Sequence, residues 1–191
     1  MPLLEAADVT VAIAGVCALR AASFSLLPGD RLAVLGRNGV GKSTLLAALA
    51  GLHPLASGKI LGAGRELAAW RPDELAQLRA WLPQTPEDAF AGSVFEAVLV
   101  GRHPWLGRFA WESDEDFRIA RDALAEMELA GFDARNVLTL SGGERQRVAL
   151  ATVLTQTPSL YLLDEPLTHL DLSSQVAVLE HFAGLSARGA A

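Results

Sequence analysis

Cysteine is nearly absent from this chain of 191 residues, in which Cys17 is the single thiol. One thiol cannot form an internal disulfide, so a disulfide-stabilised secreted scaffold is excluded and a reducing compartment such as the cytosol is favoured. Long apolar runs are missing as well, because the Ala- and Leu-rich stretch at 44–52 is far too short to span a bilayer. The N-terminus carries Glu5 and Asp8 and lacks a basic segment followed by a long apolar one, so we expect no signal peptide.

Positive charge is also scarce. Lysine and arginine total 16 against 22 aspartates and glutamates, which gives a net charge of −6. No basic stripe is available to neutralise phosphates along a nucleic acid, so we expect no nucleic-acid partner. Hydrophobic residues make up 51% of the chain and charged residues 20%, a composition that excludes a disordered or low-complexity protein. The length suits one large domain with a sizeable core.

Strand patterns alternate with helical patterns at both ends of the chain, which favours a parallel sheet with covered faces. Arg31–Leu35 is mostly apolar and stops at Gly36, as a buried strand would. The predicted strands are Val9–Ile13, Ser23–Leu27, Arg31–Leu35, Ser57–Leu61 and Leu160–Leu163. The helices predicted in these parts are Ser43–Ala50, Pro72–Ala80, Ser141–Gln156 and Asp171–Ala187.

The middle of the chain differs in character, because no strand pattern interrupts residues 85–139. Ser93–Val100 is predicted as a short apolar helix that Gly101-Arg-His-Pro-Trp105 ends, and Ser113–Leu129 as an amphipathic helix. We therefore expect a helical subdomain, inserted into an α/β core formed by residues 1–84 and 140–191.

The segment Gly36-Arg-Asn-Gly-Val-Gly-Lys-Ser43 fits the phosphate-binding pattern G-x-x-x-x-G-K-[ST], between an apolar strand and a helix. Its glycines let several backbone N–H groups point at phosphate oxygens, and the helix adds its positive end. Lys42 would reach the β- and γ-phosphates, and the Ser43 hydroxyl would bind Mg²⁺. A glycine-rich turn with a solvated lysine is the alternative. The predicted nucleotide-binding residues here are Gly36, Asn38, Gly39, Gly41, Lys42, Ser43 and Thr44.

The segment Leu140-Ser-Gly-Gly-Glu-Arg-Gln146 resembles the signature motif of the ABC ATPase family. Ser141 and Glu144 form a capping box, while Gly142 and Gly143 admit close approach of an anion. An ordinary well-capped helix is the alternative, and it gives no reason for the double glycine. In the family this helix start faces the γ-phosphate of ATP bound to a second copy, so the resemblance implies a dimer with shared sites that include Ser141, Gly142 and Gly143.

Leu160-Tyr-Leu-Leu-Asp-Glu-Pro166 resembles the Walker B strand of the same family. The resemblance implies that Asp164 holds Mg²⁺ and that Glu165 orients and deprotonates the attacking water. Leu170-Asp171 matches the D-loop, and Gln84 lies where the Q-loop glutamine is expected, touching Mg²⁺ or the water. Taken singly, the acidic residues are also compatible with simple caps of a turn or helix, and the glutamine is weak evidence for a Q-loop.

Together these motifs imply the fold, ligands and partners of an ABC transporter ATP-binding subunit. The expected fold is α/β: a P-loop NTPase core with a mainly parallel sheet, an N-terminal antiparallel β subdomain and the inserted α-helical subdomain. ATP and Mg²⁺ are the expected cofactors. The expected partners are a second copy, transmembrane permease subunits and, indirectly, a substrate-binding protein. The subunit would lie peripherally on the cytoplasmic face of the cell membrane and hydrolyse ATP to drive transport.

Within the family, Gly101-Arg-His-Pro-Trp105 resembles a loop of ATPases that serve importers of iron–siderophores, haem and cobalamin. The same five residues are also compatible with simple termination of a helix. Two other functions stay open at this point: a non-transport ABC ATPase, and an inactive truncated nucleotide-binding module.

Two departures from the family pattern stand out. The position of the usual adenine-stacking aromatic falls at or near Ile13. The family also has another strand after the last helix, which ends in a histidine that contacts the γ-phosphate, whereas this chain stops at Ala191. His181 lies inside the predicted last helix and does not replace that histidine. We therefore expect a truncated chain with a gap in its sheet between the P-loop and Walker B strands.

Overall fold

The computed structural model describes residues 1–13, 16–85, 92–107 and 110–191, with the side chains of Ile13 and Val16 left out. The chain divides into two compact units. The first comprises Met1–Trp81, Pro158–Asp164 and Phe182–Ala191, and the second comprises Leu82–Thr157 and Glu165–His181. The start of the predicted helical insertion, residues 86–91, lies outside the described residues, as does the Ile13 side chain at the predicted adenine position.

An antiparallel sheet of four strands dominates the first unit, in the order β2–β1–β3–β4. Its strands are β1 (Leu4–Ile13), β2 (Val16–Leu26), β3 (Ser57–Gly62) and β4 (Arg65–Glu66). Both β1 and β2 are longer than predicted, because β1 pairs with β2 on one edge and β3 on the other. The predicted N-terminal antiparallel subdomain is therefore present.

Helix α1 (Lys42–Leu49) packs its buried side chains against this sheet. Helix α2 (Pro72–Leu78) begins with proline at its first position, as predicted. A second, two-stranded sheet pairs β5 (Arg79–Leu82) with β6 (Leu160–Leu163). The core of the unit includes Leu4, Val9, Val11, Leu49, Ile60, Leu160 and Leu162.

Strand β5 corrects the predicted helix Pro72–Ala80, which extended too far. The backbone turns extended at Arg79, with φ −133° and ψ 142°, and continues so through Trp81. Ala80 and Leu82 are buried, at 0% and 1% exposure. Pairing with the distant strand β6 outweighs the local helical preference here, because tertiary contacts override propensity.

The predicted buried strand Arg31–Leu35 is wrong in this structure. It belongs to no strand of the described chain, and Leu32 and Leu35 are 53% and 91% exposed. A strand needs a neighbour to pair its N–H and C=O groups. Besides its pairing with β5, the start of β6 pairs with Ala191, whose N–H donates to Ser159 O (2.9 Å) and whose carbonyl oxygen accepts from the Tyr161 N–H (2.7 Å).

The second unit is helical. Helices α3 (Val94–Leu99), α4 (Asp114–Glu126) and α5 (Gly142–Thr155) pack on one another through Val94, Val98, Ala120, Leu124 and Leu150, all at most 2% exposed. Helix α6 (Leu172–Ala187) begins in this unit and ends in the first. Residues 140–191 were expected in the α/β core, whereas α5 belongs to the second unit, where it packs against α3 and α4. Among the described residues, no helix is both long and apolar enough to cross a bilayer.

Candidate nucleotide-binding and catalytic site

The predicted phosphate-binding loop forms a tight turn that ends where α1 begins. Gly39 and Gly41 have φ of +78° and +101°, a left-handed backbone that other residues rarely adopt. Gly41 caps α1 without a side-chain hydrogen bond, and the first turn of the helix carries no acidic residue. The backbone N–H groups and the positive end of the helix dipole are therefore left for an anion.

Lys42 folds back over this loop. Its ammonium group donates to the carbonyl oxygens of Gly36 (3.0 Å) and Arg37 (3.2 Å). The lysine is half-buried, so it is not the freely solvated side chain of the alternative interpretation. Ser43 and Thr44 are half-buried in the first turn of α1, and Asn38 is exposed in the loop.

Asp164 follows β6 in the same unit and is buried, at 3% exposure. Its Oδ2 has no hydrogen-bond partner among the described residues. A buried carboxylate oxygen without a partner is costly, and Mg²⁺ at an NTPase site is held by one or two carboxylates together with phosphate and water. Asp164 therefore fits a magnesium ligand. The described chain contains no cluster of three or more His, Cys, Asp or Glu, as an all-protein metal cage would need.

Gln84 and Glu165 meet in the second unit although 81 positions separate them. Gln84 Nε2 donates to Glu165 Oε2 at 3.0 Å. Glu165 has φ +48°, an uncommon backbone for a residue that is not glycine. The structure thus brings the predicted Q-loop glutamine to the predicted general base, and a carboxylate held by one amide keeps its other oxygen available to water.

The predicted signature helix starts with the capping box that the sequence indicates. Ser141 Oγ accepts from the Glu144 N–H (3.3 Å), and Glu144 Oε2 accepts from the Ser141 N–H (2.7 Å). Arg135 also donates to the Glu144 carboxylate (2.8 Å). Hydrogen bonds from the Ser141 backbone, the Ser141 side chain and Arg135 lower the pKa of Glu144 to about 2, so it is charged at neutral pH.

The double glycine of the signature has a packing reason that sequence reasoning missed. A Cβ atom added to Gly143 would lie 2.9 Å from the His169 carbonyl oxygen, and one on Gly142 would lie 3.5 Å from the His169 side chain. His169 itself has φ +66°. Gly143 therefore lets the turn after Glu165 approach the helix start, in addition to any role towards phosphate, whereas the contact at Gly142 is an ordinary van der Waals distance.

The segment Gly101–Trp105 is anchored by Arg102, which is 7% exposed. Arg102 Nε donates to Asp116 Oδ1 (2.7 Å) and its Nη1 donates to Thr155 O (3.0 Å). A Cβ atom on Gly101 would lie 2.4 Å from Thr152 O, so only glycine fits against α5. No local pattern in the sequence reveals these contacts. Asp171 accepts from the Ser174 N–H at 2.9 Å and so caps α6.

The family model described as ABC transporter matches residues 19–168, which include the phosphate-binding loop, Gln84, the signature segment and the Walker B segment. The hemin import ATP-binding protein HmuV of Gloeobacter violaceus is 44% identical over 196 residues, covering 99% of this chain and 70% of that protein. HmuV of Streptomyces coelicolor is 45% identical over 177 residues, with 93% of this chain and 62% of that protein covered. The cobalamin import ATP-binding protein BtuD of Halobacterium salinarum is 39% identical over 177 residues, with 93% and 44% covered.

Solved structures agree with these sequence matches. A protein described as a metal-chelate type ABC transporter, in an inward-facing conformation, superposes with a TM-score of 0.80 at 34% identity, covering 97% of this chain and 68% of that one. An ATP-binding subunit of an ABC transporter gives a TM-score of 0.85 at 27% identity, covering 98% and 76%. The P-loop fold expected from the motifs is confirmed. Motifs, fold and relatives agree, and the chain belongs to the ATP-binding family of ABC transporters.

Proposed function

We propose that this chain binds and hydrolyses ATP with Mg²⁺ and drives import of haem or a related metal chelate. The hydrogen bond between Gln84 and Glu165 carries the enzymatic part of the proposal. An amide donor and a carboxylate from distant parts of the chain meet here. The residue that precedes Glu165 in the sequence, Asp164, has a buried oxygen that lacks a partner in the described structure. A purely structural turn does not call for this set of groups.

Each group has a chemical task in this proposal. The loop N–H groups and Lys42 bind the β- and γ-phosphates, while Ser43, Asp164 and Gln84 would hold Mg²⁺. When bound there, the metal would supply positive charge that neutralises the phosphates. Glu165 accepts the proton of the attacking water, and the Gln84 amide orients the carboxylate for that transfer.

The signature residues take part through a second copy of the chain. Ser141, Gly142 and Gly143 open a helix of 14 residues, long enough to present a helix dipole to phosphate. Two copies would enclose two ATP molecules, with each ATP between the P-loop of one copy and the signature of the other. Permease subunits and a substrate-binding protein complete the proposed importer, with this subunit at the cytoplasmic face of the membrane.

The metal-chelate cargo is inferred from the relatives. Proteins named for hemin import match this chain along nearly its whole length, at 44% and 45% identity. The chain spans 70% and 62% of their lengths, so cargo and partners are inferred for the whole importer. Gly101–Trp105, which resembles the loop of such importers, is held rigidly by Arg102 and so offers a fixed surface.

The nucleotide arm of the test uses the purified chain and two matched lysine variants. We expect Lys42→Ala to weaken Mg·ATP binding at least about 100-fold, because it removes the charge-assisted contact of the Lys42 ammonium group with the phosphates. Lys59→Ala, which alters the other lysine of the chain, should leave the affinity unchanged. Titration calorimetry measures both. Equal affinities for Mg·ATP in the two variants would contradict nucleotide binding at this loop.

The transport arm compares haem, cobalamin and a ferric siderophore in liposomes that contain the chain with a hemin-importer permease and its binding protein. Haem uptake that needs ATP and disappears with Glu165→Gln supports the proposal. Turnover without uptake of any cargo would favour a non-transport ATPase, and binding without turnover would favour an inactive module.

A further inference from the structure

The turn Glu165–Leu170 is held in an unusual backbone conformation. Glu165 and His169 have φ of +48° and +66°, although neither is glycine. Left-handed residues of this kind are disfavoured and persist only when their surroundings enforce them. Within the turn, the Thr168 N–H donates to Glu165 O at 3.2 Å and the Leu170 N–H donates to Leu167 O at 3.3 Å. These two bonds are local, so groups outside the turn must supply the remaining restraint.

Two glutamines from neighbouring helices supply it. Gln146 of α5 is 4% exposed, and its Nε2 donates to Pro166 O at 2.9 Å. Gln175 of α6 donates to Leu170 O at 3.0 Å. The first glutamine therefore holds the start of the turn, next to Glu165, and the second holds its end. Gly143 makes the close approach of the turn possible, because it has no side chain to collide with the His169 carbonyl oxygen.

We propose that Gln146 is a positioning residue that fixes the direction of the Glu165 carboxylate through the Pro166 carbonyl. The inference rests on the proposed function, in which Glu165 accepts the proton of water. Proline has no N–H, so the carbonyl is the backbone hydrogen-bonding group through which α5 holds residue 166. The helix that begins with the signature residues thereby also fixes the base of the same chain.

The rival interpretation is that Gln146 only satisfies a carbonyl inside the fold. If so, replacing Gln146 should lower stability, nucleotide affinity and turnover together. A positioning role predicts a selective loss of turnover, because only the direction of the base changes while the phosphate-binding loop is left alone.

The test replaces Gln146 with methionine, which has a similar length and no N–H. We expect Gln146→Met to lower kcat for ATP by about tenfold or more, with the affinity for Mg·ATP unchanged within about twofold. Hydrogen exchange of the Thr168 and Leu170 amides should accelerate by a similar factor. The matched control is Thr155→Val, because Thr155 is buried in the same helix and its hydroxyl donates to Ala151 O of that helix.

A double variant separates action through Glu165 from an independent effect. In a Glu165→Gln background, Gln146→Met should change the residual turnover little, because the residue through which it acts is already gone. Additive losses would overturn the proposal. Equal effects of Gln146→Met and Thr155→Val, or unchanged amide exchange, would also overturn it. The exchange measurement needs no ATP hydrolysis, whereas a wild-type chain without Glu165-dependent turnover would contradict the proposed function itself.

Discussion

At the scale of single residues, the contact between Gly143 and His169 separates two explanations of the signature glycines. The phosphate explanation treats Gly142 and Gly143 alike, since both lie at the helix start. The packing explanation does not, because an added Cβ would meet a backbone oxygen at 2.9 Å on Gly143 and a side chain at 3.5 Å on Gly142.

Alanine substitution at each glycine tests this difference. Gly142→Ala should be neutral or stabilise the chain by up to about 1 kcal/mol, because glycine costs a helix conformational entropy. Gly143→Ala should instead destabilise it by about 1–3 kcal/mol through overpacking against a carbonyl that cannot move freely. Urea unfolding measures both values. Equal stabilities for the two variants would show that the turn adjusts without cost.

At the scale of elements, three helices of the second unit begin with carboxylates that are bound tightly. The pKa of Asp116 is lowered to about 2 by hydrogen bonds from the Ser113 side chain and backbone and from Arg102. Hydrogen bonds from the Ser141 backbone and side chain lower the pKa of Glu144 to about 2. Hydrogen bonds from Ser173 and Ser174 lower the pKa of Asp171 to about 2. The starts of α4, α5 and α6 thus depend on charged caps.

The sign of these shifts predicts an acid-sensitive fold. The ordinary pKa values are 3.8 for Asp and 4.5 for Glu, above the folded values. The stabilisation that these three carboxylates give the fold is therefore complete above about pH 4.5. It is lost as pH falls towards 2, because the carboxylates of the unfolded chain take up protons first. Denaturant unfolding at pH 7, 4 and 3 should show this fall. Asp171→Asn should be less stable at pH 7 but lose less on acidification, and an equally steep loss would contradict the role of this cap.

The buried ion pair of Arg102 and Asp116 ties the Val100–Trp105 turn to α4 and α5. Both side chains are about nine-tenths buried, at 9% and 10% exposure. Arg102→Met should cost about 3–5 kcal/mol, because it leaves the buried Asp116 carboxylate without its positively charged partner, although the hydrogen bonds from Ser113 remain. Arg118→Met is the control, since Arg118 pairs with Glu115 and Asp122 at 60% exposure and should cost less than about 1 kcal/mol. Similar losses of stability for the two variants would mean that burial does not strengthen the contribution of the Arg102–Asp116 ion pair.

Helix starts could be predicted from the sequence, whereas pairings between distant segments could not. Ser93, Ser113 and Ser141 cap their helices through residues three positions away, so the signal is local. Strand β5 and the segment Arg31–Leu35, which forms no strand in the described structure, depend on partners far along the chain, and no local pattern determines their conformation. The same limit applies inside the site, where motif order predicted roles for Gln84 and Glu165, whereas Gln146 ends the signature segment and its contact with Pro166 is visible only in the structure.

At the scale of the whole molecule, the edge of β6 that does not pair with β5 is the feature with the largest expected effect on stability and aggregation. Ala191 occupies the ladder only beside Ser159 and Tyr161, and the exposed apolar Leu32 and Leu35 lie on a segment without strand pairing in the described structure. Unpaired backbone groups cost about 1–3 kcal/mol each when kept from water, against a total stability of about 5–15 kcal/mol. We therefore expect the chain on its own to aggregate readily.

A strand appended after Ala191 tests this expectation. A six-residue Val- and Ile-rich extension should continue along β6, raise the unfolding temperature by roughly 5 °C or more and reduce aggregation in light scattering. The matched control has the same extension with proline at its second and fourth positions, which cannot donate to a ladder. Equal behaviour of the two extensions would show that the edge of β6 does not accept a strand.

The hydrogen bond between Gln84 and Glu165 has a consequence for how the arrangement of the site can be observed without nucleotide. The amide donates and the carboxylate accepts across 81 positions of sequence, so the Gln84 side-chain NH₂ group serves as a built-in reporter on the position of the Glu165 carboxylate. NMR of the Gln84 side-chain NH₂ signals should show one proton shifted by this bond, and Glu165→Ala should remove that shift. Unchanged signals in the variant would mean that the two side chains do not stay in contact in solution.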